Sequence, residues 1–523
     1  MYDLILKNCR LIDGTGAPWL AADVAVKGDT IAKIGKLDGE EAAEIVDLKG
    51  HYLAPGFIDI HSHSDTSLMT YPQAESRILQ GVTTELGGNC GISAAPASED
   101  PVRRKELGDY VGDLAYSWRR FGEYLDYMEE IRPSVNFACA VGHGSLRIAA
   151  MGFEDRKPTA EEMEVMKDLL RESLEDGAFC MTSGLIYPPG YFSTTEEMIE
   201  LCKVIPEYGA FYATHMRNEA ADILNAMDEA IRVCRESGAP LEISHHKVLR
   251  KANWRSLCFK TTAKIEAARA EGLDVRADQY PYIATATSLD SNVPTWAFEG
   301  GVEKLLERLS DPETRAKLRD QANESHKGRW QDIYVSYVKS EKNRWVVGKN
   351  IVEIAEAQGK DPADACFDII LEERCRANEI NYGMCEEDVE YIMSKPYIMT
   401  GSDGDAFSLD YPGQPHPRAY GTFVRVLSHY SRDRGLFSIE EGVRKMTSMP
   451  AARLGLRDRG LIKEGMKADL VVFDLETLED TPSFENPKVA CRGIERVYVN
   501  GVLTAKDGVH TGARAGKVLR HRK

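Results

Sequence analysis

At 523 residues the chain is long enough for one large domain and a smaller companion. A formal net charge of −18 excludes nucleic acid and anionic membrane surfaces as partners, but not a small anionic substrate bound in a locally basic pocket. The opening M-Y-D-L-I-L-K lacks a signal peptide's basic and apolar regions, and no run approaches the roughly 18 apolar residues of a membrane helix. The 11 cysteines are scattered and odd in number, which suits reduced thiols and a cytoplasmic setting.

Residues 1–54 read as short alternating strands at 4–7, 23–27, 30–35 and 44–48, with turns at Gly14, Gly28–Asp29 and Gly50. The far end repeats this texture at 468–474 and 495–500, flanked by Gly465, Gly493 and Gly501. The expected arrangement is a small β-sandwich domain built from residues 1–54 and 460–523, with residues 55–459 inserted as a larger domain.

That middle alternates between apolar runs and helical stretches. The runs fall at 57–63, 83–91, 135–144, 178–185, 210–216, 241–247, 274–282 and 397–404. Thr159-x-x-Glu162 and Ser193-x-x-Glu196 read as capping boxes that open two of the helices. Eight repeats of strand and helix predict an α/β fold of the (β/α)8 TIM-like barrel type, in preference to a doubly wound open sheet. Residues 283–395 are too long for a plain connection. Helix-like stretches near 302–323 and 361–373 make them an expected lid over the barrel mouth.

The chemistry gathers at the ends of the predicted strands, where barrels keep their working residues. The first strand, in Y-L-A-P-G-F-I-D-I-H-S-H-S-D, delivers His61 and His63, whose i, i+2 spacing puts both imidazoles on one face. The second ends E-L-G-G-N-C-G and offers Glu85 and Cys90. The fifth ends with His215, the sixth with His245 and His246, and the eighth with Asp403. Imidazoles, a thiolate and a carboxylate converging from several strands predict a divalent metal site, with zinc the expected ion. His245 and His246 point to opposite faces, so one of them coordinates. His143, in V-G-H-G-S-L-R, is read as supporting rather than ligating. Asp403 is the expected proton acceptor and donor, and a purely ligating role stays open.

With these motifs in view the sequence resembles the amidohydrolase superfamily and, within it, the N-acyl-D-amino-acid deacylase (D-aminoacylase) family. The resemblance spans nearly the whole chain. It is carried by G-F-I-D-I-H-S-H-S-D, E-L-G-G-N-C-G-I-S-A-A-P, G-L-I-Y-P-P-G-Y, T-H-M-R-N-E, I-S-H-H-K, D-Q-Y-P-Y, G-S-D-G and H-P-R-A-Y-G-T-F. Many superfamily members bridge two metals with a modified lysine from strand four. That strand, A-F-C-M-T-S-G-L, has no lysine here, and the resemblance implies that Cys90 takes the position.

It further implies that Cys90, His215 and His245 hold one tight zinc ion, while His61, His63 and Asp403 frame a weaker or vacant second site. The implied reaction is zinc-dependent hydrolysis of N-acyl-D-amino acids to a D-amino acid and a carboxylate. Arg418 is the bidentate cation for the substrate α-carboxylate, assisted by Lys247 and Tyr280, with Tyr187 also at the substrate. The D preference comes from the resemblance alone.

Residues 279–303 contain no Lys, Arg or His, and Tyr282, Leu289, Val293, Trp296 and Phe298 are expected to give the mouth an apolar wall. Neutral or hydrophobic side chains are therefore expected over acidic ones, unless lid cations such as Lys339, Lys342 or Arg344 intervene. A cyclic-amide hydrolase of the hydantoinase or dihydroorotase kind stays open as the alternative activity, as does a deacylase for acidic D-amino acids. Oligomeric state is left open.

Overall fold

The computed structural model describes residues 1–112 and 117–522. Eight short parallel strands form the barrel: β1 (Phe57–Asp59), β2 (Val82–Gly87), β3 (Asn136–Cys139), β4 (Cys180–Gly184), β5 (Phe211–His215), β6 (Leu241–Ile243), β7 (Val275–Gln279) and β8 (Ile398–Thr400). Almost every residue in them is buried, as parallel strands covered on both faces must be. β1, β2 and β3 pair in order, and β4 to β8 pair in order. Val141–Gly142, continuing β3, joins β4.

The ring closes just beyond the strands. Asp403 N–H donates to His61 O and His63 N–H to Gly404 O, each at 2.8 Å. The predicted runs therefore overshoot the strands. His61, His63, Cys90, His245 and Asp403 all lie on the loops that follow them.

Two helix starts differ from expectation. Thr159 and Glu162 do form a capping box for Ala160–Asp176. Around residue 195 the cap moves by one: Thr194 accepts from Glu197 N–H, and the helix is Thr195–Cys202. Ser193 is engaged elsewhere, donating to Gly190 O at 2.6 Å. The 302–323 helix is in fact two, Gly301–Ser310 and Pro312–Ser325. Asp311 caps the second and Pro312 stands at its first position, where its missing N–H costs nothing.

Strands from both ends of the chain join in one nine-stranded sheet. Tyr2–Leu11 pairs with Leu20–Lys27, Ala42–Asp47 and Tyr52–Pro55; the last of these pairs antiparallel with Leu470–Phe473. The sheet curls until Thr30 bridges Lys467, enclosing Leu4, Leu6, Val24, Leu53, Leu470 and Val472. Beyond His510 the chain leaves this sheet for the barrel. Phe137 N–H donates to Lys517 O (2.9 Å), Leu519 N–H to Phe137 O (2.7 Å) and His521 N–H to Gly177 O (2.9 Å). Residues 517–521 thus fill the gap between β3 and the approach to β4, away from the sheet expected to hold them.

Residues 283–395 build a three-stranded antiparallel sheet, Thr285–Ser288, Ile333–Val338 and Ala377–Asn381, backed by helices. Leu305, Ile333, Ile354 and Phe367 are among the residues of its own buried core. Among the described residues no helix is long and apolar enough to cross a membrane.

Candidate metal centre

Beneath the centre, a buried charged scaffold ties β1, β2 and β8 together. Asp59 accepts from His61 N–H (3.1 Å) and Ser402 N–H (2.9 Å), and Arg77 lies 3.6 Å from Asp59 and 3.2 Å from Glu85. Glu85 also accepts from Ser64 Oγ at 2.7 Å. It faces this scaffold through Oε2, its Oε1 is buried without a partner, and neither oxygen belongs to the donor sets described below.

Above it, six side chains converge. His61 turns Nδ1 to Asp278 (3.1 Å), which leaves Nε2 at 3.4 Å from both Cys90 Sγ and Asp403 Oδ1. His63 Nε2 is 3.0 Å from the same Asp403 oxygen. Cys90 Sγ is 3.3 Å from His245 Nε2, and the His245 and His215 rings meet edge to face at 4.3 Å. The donor atoms fall into two sets, His61–His63–Cys90–Asp403 and Cys90–His215–His245, each spanning no more than 4.8 Å and sharing the thiol.

The backbone is bent to achieve this. Cys90, His245 and Asp403 hold φ of +53°, +36° and +52°, a region non-glycine residues occupy only where surrounding structure imposes it. Close packing below does so. A β-carbon on Gly91 would sit 2.3 Å from Gly184 N, and one on Gly401 would sit 2.6 Å from His61 Cβ.

Electrostatics agree with a cation-binding role. Burial alone would raise the Cys90 thiol, but the His245 and His61 imidazoles carry it well below its usual value, which favours the ligating thiolate form. Burial opposes charge on the imidazoles too, and neighbouring anions outweigh it. Asp278 and Cys90 raise His61 well above normal, Asp403 and Cys90 raise His63 to about 10, and Glu219 and Cys90 raise His215 to about 9.

Protons on these rings are what a divalent ion would displace. Both ring nitrogens of His215 are buried without a hydrogen-bond partner; its Nε2 lies 3.3 Å from Glu219 without hydrogen-bond geometry. Nitrogen and sulfur donors with such an orphaned imidazole fit zinc or a similar ion.

Of the adjacent histidines, His245 enters the cluster, while His246 Nε2 turns away to Thr261 Oγ1 at 2.9 Å. His143 lies 2.9 Å from Glu197, which Arg147 also grips, and makes a structural link.

Two carboxylates that the sequence did not single out hold these candidate donors in place. Asp278, at the end of β7, takes His61 Nδ1 and accepts His245 N–H at 2.8 Å. Glu219 lies 3.1 Å from His245 Nδ1 and 2.6 Å from Lys247 Nζ. Lys247 Nζ also lies 2.7 Å from His245 Nδ1, so both groups fix the ring with Nε2 turned to Cys90. The signal for Glu219 was its place four residues after His215. Nothing marked Asp278 except its strand end. Asp278→Asn, which keeps the shape and removes the charge, is expected to weaken metal affinity about 10- to 100-fold, read by competitive zinc titration.

The substrate-side candidates sit beside the cluster. Arg418 Nη1 donates to Asp403 Oδ2 at 2.6 Å and Nη2 to Ala286 O at 3.0 Å, and its guanidinium stacks 4.8 Å over Tyr280. His416 Nδ1 accepts Arg418 N–H, which fixes the start of that helix. Tyr187 OH accepts from Thr287 Oγ1 at 3.1 Å, and its ring packs 4.9 Å from His215. Lys247, Arg418 and Tyr187 face a cavity of about 960 Å³ above the donors; Tyr280 lies behind Arg418.

The wall expected to be apolar is mixed. Val293 and Phe298 line it, together with Thr287, Ser288, Asp290 and Asn292. Tyr282 packs on His416 at 5.2 Å, Leu289 joins the core of the 283–395 segment, and Trp296 donates to Gln321. Lys342 and Arg344 pair with Glu372 and Glu341, and neither they nor Lys339 line the cavity.

A closed parallel barrel with imidazole, thiolate and carboxylate donors on its C-terminal loops defines a metal-dependent hydrolase scaffold. Residues 44–505 match the Amidohydro_3 amidohydrolase family. A D-aminoacylase from Alcaligenes xylosoxydans xylosoxydans is 40% identical, over 99% of this chain and 97% of its own length. A crystallised D-aminoacylase, studied for a binuclear metal centre with one-metal activation and second-metal attenuation, superposes with a TM-score of 0.83 at 38% identity, covering 99% of this chain and all of that one. The N-acyl-D-glutamate deacylase of Bordetella bronchiseptica, solved with zinc and a phosphonate mimic of the tetrahedral intermediate, superposes at 0.85 with 33% identity and 99% coverage of each chain. The chain belongs to the amidohydrolase family, in its D-aminoacylase branch.

Proposed function

We propose that this protein hydrolyses the amide bond of N-acyl-D-amino acids, releasing a D-amino acid and a carboxylate. The observation that carries this reading is the Cys90-centred donor set with Arg418 and Asp403 paired beside it. Cys90, His215 and His245 would hold the tight ion, for which zinc is favoured by the donor types and by the zinc-bound relative. Such an ion supplies Lewis acidity toward the amide carbonyl and lowers the pKa of water.

The chain's own groups do the rest. Asp403, flanked by His61 and His63, accepts the proton of the attacking water and returns it to the departing nitrogen. Arg418 binds the substrate α-carboxylate with the Nη1 that now holds Asp403 among its donors, so substrate binding releases a carboxylate oxygen for that proton. Lys247 adds a second positive charge, Tyr280 stacks beneath Arg418, and Tyr187 closes the wall beside His215.

A second ion, at His61, His63 and Asp403, would lie against the Arg418 cation and occupy the proton acceptor. Its binding is accordingly weaker. The segment 283–395 serves as the lid. The absence of any cation from 285–298 supports neutral side chains at that wall. All 11 cysteines are free thiols, which supports a reducing, cytoplasmic setting.

The test is chiral chromatography of the amino acid released from racemic N-acetyl-methionine by zinc-loaded protein. D-methionine alone is the expected product. Release of L-methionine, or no release, overturns the reading.

A further inference from the structure

With 83 acidic residues against 65 basic ones, an arginine on this protein has many carboxylates to pair with. Arg250 and Arg329 both line the cavity, and among the described residues no carboxylate oxygen lies within ion-pair distance of either. Their loops adjoin through the backbone: Arg250 N–H donates to Gly383 O at 2.9 Å, and the neighbouring Tyr382 N–H donates to Asp332 O at 3.0 Å, three residues on from Arg329. Burial and then the Arg250 charge depress Arg329, while burial, Arg329 and Arg250 together push His326 down to about 3. Asp332 also lines the cavity and only moderates the Arg329 shift.

The backbone at Arg250 is tightly fixed. Arg250 sits at φ +75°, ψ 128°, a conformation that side chains rarely adopt. It is held there by Arg250 N–H to Gly383 O (2.9 Å), Leu249 N–H to Glu219 O (2.7 Å) and Asn253 N–H to Arg250 O (2.8 Å). Trp254 Nε1 grips the same Gly383 carbonyl at 3.0 Å. Beside them, His326 stacks on Trp330 at 4.5 Å with its Nδ1 buried and unpartnered. Two guanidiniums on adjoining loops of one cavity, Arg250 on a strained backbone and Arg329 donating to the Ser325 carbonyl, with no carboxylate in ion-pair contact among the described residues, form a receptor for an external anion.

We infer that Arg250 and Arg329 form a carboxylate subsite, and that the preferred substrates carry a dicarboxylic acyl group, such as succinyl, whose free carboxylate the pair binds. This rests on the deacylase reading above. There the α-carboxylate belongs to Arg418 and the amino-acid side chain to the cation-free 285–298 wall, which leaves the acyl group to present the second charge.

The experiment compares kcat/KM for N-succinyl-D-methionine, N-acetyl-D-methionine and N-acetyl-D-glutamate in the zinc-loaded wild type, R250Q and R329Q. The succinyl substrate is expected to be preferred over the acetyl one by about 10- to 100-fold, the range of a charge-assisted contact. That ratio should fall toward one in either variant, and should shrink with added salt. Arg250 is exposed, so R250Q keeps the test alive if R329Q folds poorly. Equal use of the two acyl groups by the wild type, or an unchanged ratio in a folded variant, overturns the subsite while leaving the deacylase intact. An Arg-dependent preference for N-acetyl-D-glutamate overturns the acyl assignment by moving the charge to the side chain. Cleavage of none of the three overturns the deacylase reading and this inference with it.

Discussion

Cys90→Ser is expected to lose its metal on dialysis and to lower kcat roughly a thousandfold, the several kcal/mol that Lewis-acid assistance supplies. The thiol is the one donor common to both ligand sets, 3.3 Å from His245 Nε2 and 3.4 Å from His61 Nε2. A serine hydroxyl keeps the volume but stays protonated at neutral pH, so it provides neither the anion nor the soft donor. The two imidazoles would then face a neutral group. Elemental analysis of dialysed variant and wild type, alongside kcat, checks this. A serine variant that retains stoichiometric metal would place the tight ion elsewhere. Little loss of fold is expected, because Cys90 borders the cavity rather than filling the core.

Asp403→Asn should separate chemistry from stability. With Asp403 as the proposed proton acceptor, its loss is expected to cost about 10²- to 10⁴-fold in kcat, while the metal proposed at Cys90, His215 and His245 is retained. The same change leaves Arg418 buried without its counter-charge, and breaking a buried pair in this way costs about 3–5 kcal/mol. A lowered melting temperature should therefore accompany the kinetic loss, whereas a variant of a merely ligating Asp403 would lose metal first.

The pH dependence has a definite sign. Burial alone would raise the Asp403 carboxyl, but Arg418 and then His245 hold it well below its usual value. The stability it contributes is thus complete above the unfolded carboxyl pKa of about 4 and is lost as pH falls below it. Acid unfolding of the metal-free wild type should show this loss, and Asp403→Asn should lack it.

What could be read from the sequence follows from what is local. H-x-H at His61 and His63, and the lone Cys90 in a glycine-rich turn, are rare residue types at the ends of apolar runs, so type and position together single them out. Asp278 and Glu219 are two among 83 acidic residues, and their importance lies in which imidazole they touch across the barrel. No spacing rule encodes that. Arg418 was legible as a cation in the right loop, but its 2.6 Å contact with Asp403 is a consequence of ring closure. Strand ends were overestimated for a physical reason. Most residues just after β1, β2, β6 and β8, such as His61, Ser62, Asn89, Ser244, His245 and Ser402, are as buried as the strands themselves, so burial extends past the hydrogen-bond ladder. The apolar wall failed similarly, since Tyr282 and Leu289 satisfy cores of their own.

The stretch that fills the gap beside β3 sets a timetable for folding. Asn136 receives its partner Lys517 from 381 positions downstream, and Tyr52–Pro55 must wait for Leu470–Phe473. A ribosome adding about 5–20 residues per second delivers those partners tens of seconds after the first strands emerge. Until then the edges of β3 and of the N-terminal sheet stay unpaired, with residues such as Phe137 and Leu53 uncovered. Such exposed edges are templates for mispairing. Completion of this barrel therefore waits for residues 517–521, long after its first strands have formed.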